Sequence, residues 1–192
     1  AVSQVLYASN KPYETYKSNL IGTINILELF RIHNKKTKII FSSSDKVYGD
    51  SNDLPYTEDS ALNAKNIYDT SKAAADLICR SYSHTYKMDV VITRFVNIYG
   101  KGDVNWNRII PGTIKSLINN KKPIIRSNGK FKRDYLHIDD VVRGYLLIAK
   151  KLFNKNHLLS GKSINFGSNN PLSVIDVVKI ILRNFNKKNN YY

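Results

Sequence analysis

Two short apolar runs, each preceded by a helical pattern, constrain the fold of this chain more than any other feature. Ile39-Ile40-Phe41 follows a segment from about Tyr13 to His33 in which Leu20, Ile24, Leu27 and Ile32 recur at helical spacing. Val90-Val91-Ile92 follows a second such segment, from about Tyr68 to Tyr86, with Ala73, Leu77, Ile78 and Tyr82 on its apolar face. Strands without polar alternation are buried on both faces, and a helix between them supplies the crossover that a parallel pair requires. The order is that of a βαβ unit in an α/β sheet, whose ligands collect beyond the carboxyl ends of the strands.

Both strands end in polar residues. The first, Lys38 to Ser43, stops in Ser44-Asp45-Lys46-Val47-Tyr48-Gly49, and the second runs through Thr93-Arg94-Phe95-Val96-Asn97 into Ile98-Tyr99-Gly100. The helix between them opens with Tyr68-Asp69-Thr70-Ser71-Lys72, so a phenol and an amine lie four residues apart on one face. A phenol is a poor base at neutral pH until nearby positive charge stabilises its anion, and a lysine one turn away does that. The spacing alone is common in helices; its place between these two strand ends gives it weight.

The remaining sequence alternates short elements. Residues 50–66, with Pro55, read as a loop; residues 107–119 as a helix broken early by Pro111; Pro123 to Arg126 as a short extended piece; Asn128-Gly129 as a turn. A strand is expected over Asp134 to Ile138, a helix from an acidic N-cap at Asp139 to Leu152, a strand at Ser163–Phe166, and a helix capped by Ser173 to about Phe185. The tail from Asn186 to Tyr192 is polar and expected to fray. Gly22, inside the first helix, carries a helix cost of about 1 kcal/mol relative to Ala, for which close packing is the expected reason.

The 192 residues suffice for a real core, and no apolar run approaches the roughly 20 residues of a membrane span. One cysteine, Cys79, excludes a disulfide framework and fits a cytoplasmic location. No metal set is read. The net charge of +15 is mostly lysine scattered from Lys11 to Lys188, without a basic stripe interleaved with aromatics, so a nucleic-acid partner is not expected.

Taken together, Asn19-Leu20-Ile21-Gly22-Thr23, Ser42 to Gly49, Tyr68 to Lys72, Asn97 to Gly100, Arg133 to His137 and Asn165-Phe166-Gly167 resemble the extended short-chain dehydrogenase/reductases, specifically the nucleotide-sugar epimerases and 4,6-dehydratases. The resemblance covers nearly the whole chain, in order. It implies a Rossmann-type parallel sheet, with residues 1–100 belonging to an NAD-binding domain that carries the catalytic groups. Residues 101–192 would be mainly a small substrate-binding part, the chain interleaving between the two. Tyr68, Lys72 and Ser44 would form the hydride-transfer triad around NAD, with Lys72 also holding the nicotinamide ribose. Asn19, Ser42 and Val96 would lie on the cofactor side. Asn97, Arg108, Ile109, Ile124, Arg126, Arg133 and Asn165 would grip a nucleotide-diphosphate hexose, arginine suiting a diphosphate by its two-pronged donor geometry. The alternative for these arginines is a solvated surface charge.

Asp45-Lys46 separates two chemistries within that family. A 4-epimerase removes and returns hydride at C4. A 4,6-dehydratase also removes the C5 proton and expels the C6 hydroxyl, which takes a second acid/base pair. Many dehydratases of the family carry Asp-Glu here; Asp-Lys resembles the CDP-glucose and inverting UDP-N-acetylglucosamine dehydratases. The following Tyr48-Gly49 and the run Gly102-Asp103-Val104-Asn105-Trp106-Asn107-Arg108 resemble the CDP-glucose type more, and Lys46 as base would need a lowered pKa. The expected activity is therefore a lyase. A 4-epimerase is the first alternative, an inactive remnant or basic binding module the second, and a homodimer through the long helices the expected assembly when full length. The family's opening Gly-rich turn is missing from the sequence, so the sheet is expected to lack its first strands and the chain to be truncated at both ends. This chain alone is expected neither to bind NAD well nor to turn over; stoichiometric NAD binding at micromolar concentration in a titration would overturn that expectation.

Overall fold

The computed structural model describes residues 1–51, 54–154 and 157–185; the tail from Asn186 lies outside the described residues. In chain order the elements are α1 (Val5–Asn10), α2 (Pro12–Tyr16), a π turn (Lys17–Ile21), α3 (Gly22–His33), β1 (Ile39–Ser44), a 3-10 turn (Asp45–Tyr48), α4 (Ile67–Tyr86) and β2 (Val90–Phe95). There follow β3 (Asn97–Tyr99), α5 (Ile109–Ile118), β4 (Lys132–Arg133), β5 (Tyr135–His137), α6 (Ile138–Phe153), a 3-10 turn (His157–Leu159), β6 (Ser163–Phe166), β7 (Leu172–Ser173) and α7 (Val174–Asn184). The chain folds into two units, Ala1–Phe95 with Val142–Phe166, and Val96–Val141 with the residues from Gly167 onward.

The first unit is built on a parallel sheet of order β1-β2-β6. The registers pair Ser44 with Phe95, and Phe95 with Phe166, so all three strands end together. Every residue of β2 is buried. Its alternating side chains feed two layers: Val90 and Ile92 join Leu27, Cys79 and Met88, while Val91 meets Ile148 and Leu152 of α6. Helices thus cover both faces, which is why an unbroken apolar run is stable there. β1 and β6 are the outer two of these three strands, and Ile39, Ile40 and Phe41 of β1 are only half-buried.

In the second unit, β3 pairs parallel with β5 and β4 antiparallel with β7. Leu117 of α5 packs with Val178 and Leu182 of α7 to form its core.

The structure corrects several sequence expectations. Pro111 does not break its helix; it is the third residue of α5, within the first turn, where backbone N–H groups have no partner inside the helix anyway. The strand expected over Asp134 to Ile138 is shorter, Tyr135–His137 of β5, and the separate piece β4 ends just before it on another ladder. α6 starts at Ile138, so Asp139 and Asp140 sit inside its first turn. Residues 123–126 join no strand. Ile32 falls five residues after the buried Leu27, off its face, and is 63% exposed.

Gly22 differs from expectation too. It has helical angles, φ −57° and ψ −39°, and a Cβ there would meet nothing closer than the Lys17 carbonyl at 3.8 Å. Close packing is therefore not the reason for it. Gly22→Ala should raise the unfolding free energy by about 0.5–1 kcal/mol in urea melts. A loss of stability instead would show that the π turn ahead of it needs the glycine.

Candidate active site

The site residues of the first unit lie at the carboxyl ends of its strands. Ser44, the last residue of β1, caps the 3-10 turn: its Oγ accepts from the Lys46 amide at 3.3 Å and donates to Asp45 Oδ1 at 3.0 Å. Ser44, Asp45 and Lys46 are thereby held in one tight structure. Gly49 closes it with φ +70°, donating its N–H to the Lys46 carbonyl at 3.1 Å. A side chain at Gly49 would run into the Asn63 carbonyl, so the turn requires glycine on both counts.

α4 approaches this turn with a polar face. Leu77 is 51% exposed, whereas Asp69, Ser71, Lys72, Asp76 and Ser83 are buried with Ala73, Ala75 and Cys79. Of the four apolar positions that the spacing puts on the inner face, Ala73 is buried and Ile78 and Tyr82 pack against the core, whereas Leu77 faces outward. The Lys72 ammonium donates to the Ser42 carbonyl at 2.8 Å and lies 5.3 Å from the Phe41 ring centre. That contact pins α4 to β1 two residues before the strand ends, with Tyr68 one turn earlier on the same helix. Burial lowers the Lys72 pKa. Buried Cys79, whose thiol is pushed up to about 12 by burial and then by the Asp76 carboxylate, is a packing residue and no nucleophile.

Asn19 supports the same helix end from the π turn. Its amide donates to Ser71 Oγ at 3.0 Å, and Ser71 Oγ donates to the Tyr68 carbonyl at 2.7 Å. Asn19 also brackets Val2, accepting from its N–H at 2.6 Å and donating to its carbonyl at 3.0 Å. The structure thus links Asn19, Ser42, Ser44, Asp45, Lys46, Tyr68 and Lys72 within one unit.

Asn165, on β6, belongs to this unit as well. Its side chain accepts from the Tyr48 hydroxyl at 2.6 Å and donates to the Tyr56 carbonyl at 3.3 Å. The other residues read as substrate contacts lie in the second unit. Asn97 donates twice to the Asp134 carbonyl, from its amide side chain at 3.1 Å and its backbone at 3.2 Å. Arg108, at the head of α5, pairs with Asp103 at 3.1 Å, and Arg126 donates to Asn107 at 3.0 Å. Both arginines therefore converge on one loop, 103–108. Val96 and Ile109 are half-buried; Ile124 and Arg133 are exposed. A small cleft of about 120 Å³ between Tyr99, Trp106, Pro111 and Ile114 is too small for a nucleoside and involves none of them.

Sequence reasoning passed over the largest fully buried side chain. Arg94 of β2 is 1% exposed and forms a two-pronged pair with Asp76, which is fully buried, at 2.9 and 3.0 Å. It also donates to the Tyr48 hydroxyl at 2.7 Å and the Glu58 carbonyl at 3.2 Å. Burial opposes the Arg94 charge, but the bonds from Asp76 and Tyr48 outweigh it and raise its pKa. Burial pushes the Tyr48 phenol up, Arg94 only partly offsetting it, so it keeps the proton it gives to Asn165. Two signals were in the sequence: an arginine in an apolar strand, and an acid four residues beyond Lys72.

The Lys72 shift has a pH consequence. Between the depressed native pKa and the ordinary lysine value, the unfolded chain binds the extra proton, so stability should rise with pH across that window. Lys72→Met should flatten that part of a pH series of urea melts. Identical slopes in the two proteins would show that burial does not shift this amine.

Comparison with known proteins agrees with this architecture. Residues 1–167 match the model of the NAD dependent epimerase/dehydratase family. The dTDP-D-glucose 4,6-dehydratase of Dictyostelium discoideum is 37% identical over 177 residues, which are 86% of this chain and 39% of that protein. The human dTDP-D-glucose 4,6-dehydratase is 34% identical over 173 residues, 90% of this chain and 47% of that one. Among solved structures, a double mutant of DesIV, a dTDP-glucose 4,6-dehydratase from Streptomyces venezuelae with NAD bound, is similar with a TM-score of 0.86 at 26% identity, over 98% of this chain and 56% of that one. The dTDP-glucose 4,6-dehydratase of Bacillus anthracis in complex with NAD gives 0.80 at 30% identity, over 90% and 53%. The chain spans about half the length of the relatives it matches. The order of its parallel strands, the helix α4 that crosses between the first two, and a family match running through Gly167 lead to one conclusion: this chain belongs to the NAD-dependent epimerase/dehydratase family.

Proposed function

We propose that the protein of which this chain forms part is an NAD-dependent nucleotide-sugar 4,6-dehydratase. The observation that carries this reading is the capped turn that holds Asp45 and Lys46 directly after Ser44. An epimerase has no step for that second acid/base pair, whereas elimination of water across C5–C6 needs both members. The dTDP-glucose 4,6-dehydratases among the relatives support the same class.

The residues present suit the nicotinamide ribose of the cofactor. Among the described residues Lys72 makes one hydrogen bond, to Ser42, and an ammonium has three donors, which leaves two for ribose hydroxyls. NAD, when bound, supplies the acceptor for the C4 hydride and its later donor to C6. Tyr68 takes the proton of the C4 hydroxyl, with Lys72 stabilising the phenolate, and Ser44 orients the C4 oxygen. Lys46 removes the C5 proton, and Asp45 protonates the departing C6 hydroxyl. Lys46 then returns a proton to C5, and the proton gathered at C4 replaces, through solvent, the one lost with water. The product is a 4-keto-6-deoxy sugar nucleotide.

In the second unit Arg108, Arg126 and Arg133 are the proposed diphosphate contacts, with Asn97, Ile109 and Ile124 beside the nucleotide. Val96 is proposed on the cofactor side. Exposed Ile26, Leu29 and Ile32 of α3 and Leu77 of α4 suit a dimer through the long helices. No described helix is long and apolar enough to cross a membrane.

The native protein, isolated from its source and supplied with NAD, should convert a nucleotide hexose to a product lighter by one water. CDP-glucose is the first substrate to try on the strength of Tyr48-Gly49 after the Asp45-Lys46 pair and of residues 102–108, dTDP-glucose the second on the strength of the relatives. Tyr68→Phe should lower the rate by about 100-fold or more. A product of unchanged mass, epimeric at C4, would replace this reading with that of a 4-epimerase.

A further inference from the structure

The turn that carries Asp45 and Lys46 is only four residues long and is anchored at its far end by Tyr48, which is 2% exposed. Three elements meet at that side chain. Its hydroxyl accepts from Arg94 of β2 and donates to Asn165 of β6, and its ring stacks on Tyr56 with centroids 4.8 Å apart. Arg94 is itself aligned by Asp76, one turn beyond Lys72 on the same face of α4. A planar guanidinium fixed by two bonds to one carboxylate has no freedom in where its remaining N–H groups point. The helix that presents Tyr68 and Lys72 therefore sets, through Asp76 and Arg94, the position of the hydroxyl that ends the acid/base turn.

We propose that Asp76, Arg94 and Tyr48 are positioning residues that hold the Asp45-Lys46 turn in register with the Tyr68-Lys72 face of α4. The inference rests on the dehydratase reading for its catalytic consequence. It predicts a division of labour: the oxidation at C4 depends on α4 and Ser44, whereas elimination depends on where the turn stands. Loosening the network slows the second and spares the first.

The test uses Tyr48→Phe, which removes one hydroxyl and keeps the stacked ring, and the double variant Asp76→Leu/Arg94→Met, which replaces the ion pair by apolar volume should the first fold poorly. Hydrogen exchange on the protein reads the turn without any activity. The amides of Lys46 and Gly49 should exchange about tenfold faster or more, with those of β2 unchanged. Turn amides as protected as before, or equal loss throughout β2, overturn the proposal. In turnover, formation of reduced nicotinamide should stay within about twofold while release of water falls by about 10- to 100-fold, with KM little changed. Equal losses in both steps, or in neither, overturn it. If the unsubstituted protein yields no 4-keto product from CDP-glucose or dTDP-glucose, the dehydratase reading fails and the exchange comparison alone decides the proposal.

Discussion

A charged guanidinium sealed between a helix and the central strand governs the first unit. Taking Arg94 and Asp76 out of water costs several kcal/mol for each ion, about what their mutual attraction returns, so the pair is a weak source of net stability. Losing one partner alone is another matter, at about 3–5 kcal/mol, because a bare charge would stay behind. Such a contact does little to decide whether the chain folds. It decides how β2, α4 and the loop through Glu58 must stand once it has folded. An apolar pair of the same size would tolerate sliding by an ångström; a forked salt bridge does not.

The same economy of polar contacts runs along α4. Tyr68, Lys72 and Asp76 lie on successive turns, and each is tied to something different: the helix start through Ser71 and Asn19, the end of β1, and the centre of β2. The inner face of the helix is mixed, with Asp69, Ser71, Lys72 and Asp76 buried beside Ala73, Ala75 and Cys79, while Leu77 faces outward. Ser71, Lys72 and Asp76 each find a specific partner, so directional bonds add to apolar packing in holding this face.

How much of this could be read from the sequence follows from what each signal reports. The continuous runs at Ile39 and Val90 announce a parallel sheet because nothing polar interrupts them, and the turn at Ser44 and the helix start at Tyr68 are legible from residue type and order. Periodicity failed where burial was not apolar: it chose Leu77 as inward and said nothing of Asp76, since a spacing rule counts hydrophobes and cannot see a salt bridge. It failed at Pro111 because a proline is tolerated in a first turn, and a helix start was not recognised at Ile109. The two-residue ladders of β4 and β7 carry too few side chains for any period to register. Asn165 could be assigned a motif but not a partner, because Tyr48 lies 117 residues away.

That separation bears on how the unit assembles. β1 and β2 with the helix between them can associate as soon as residue 95 is available, since their contacts are comparatively local. The third strand and Asn165 arrive only after the whole of Val96–Val141 and then α6 have been laid down. Closing so long a loop adds an entropic cost that grows with the logarithm of its length, and non-local pairings of this kind are the slow ones in folding. During synthesis the Tyr48 hydroxyl would meet Arg94 well before it meets Asn165. A nascent chain would thus hold the Asp45–Tyr48 turn by one of its two anchors, and the second would be set when β6 pairs with β2.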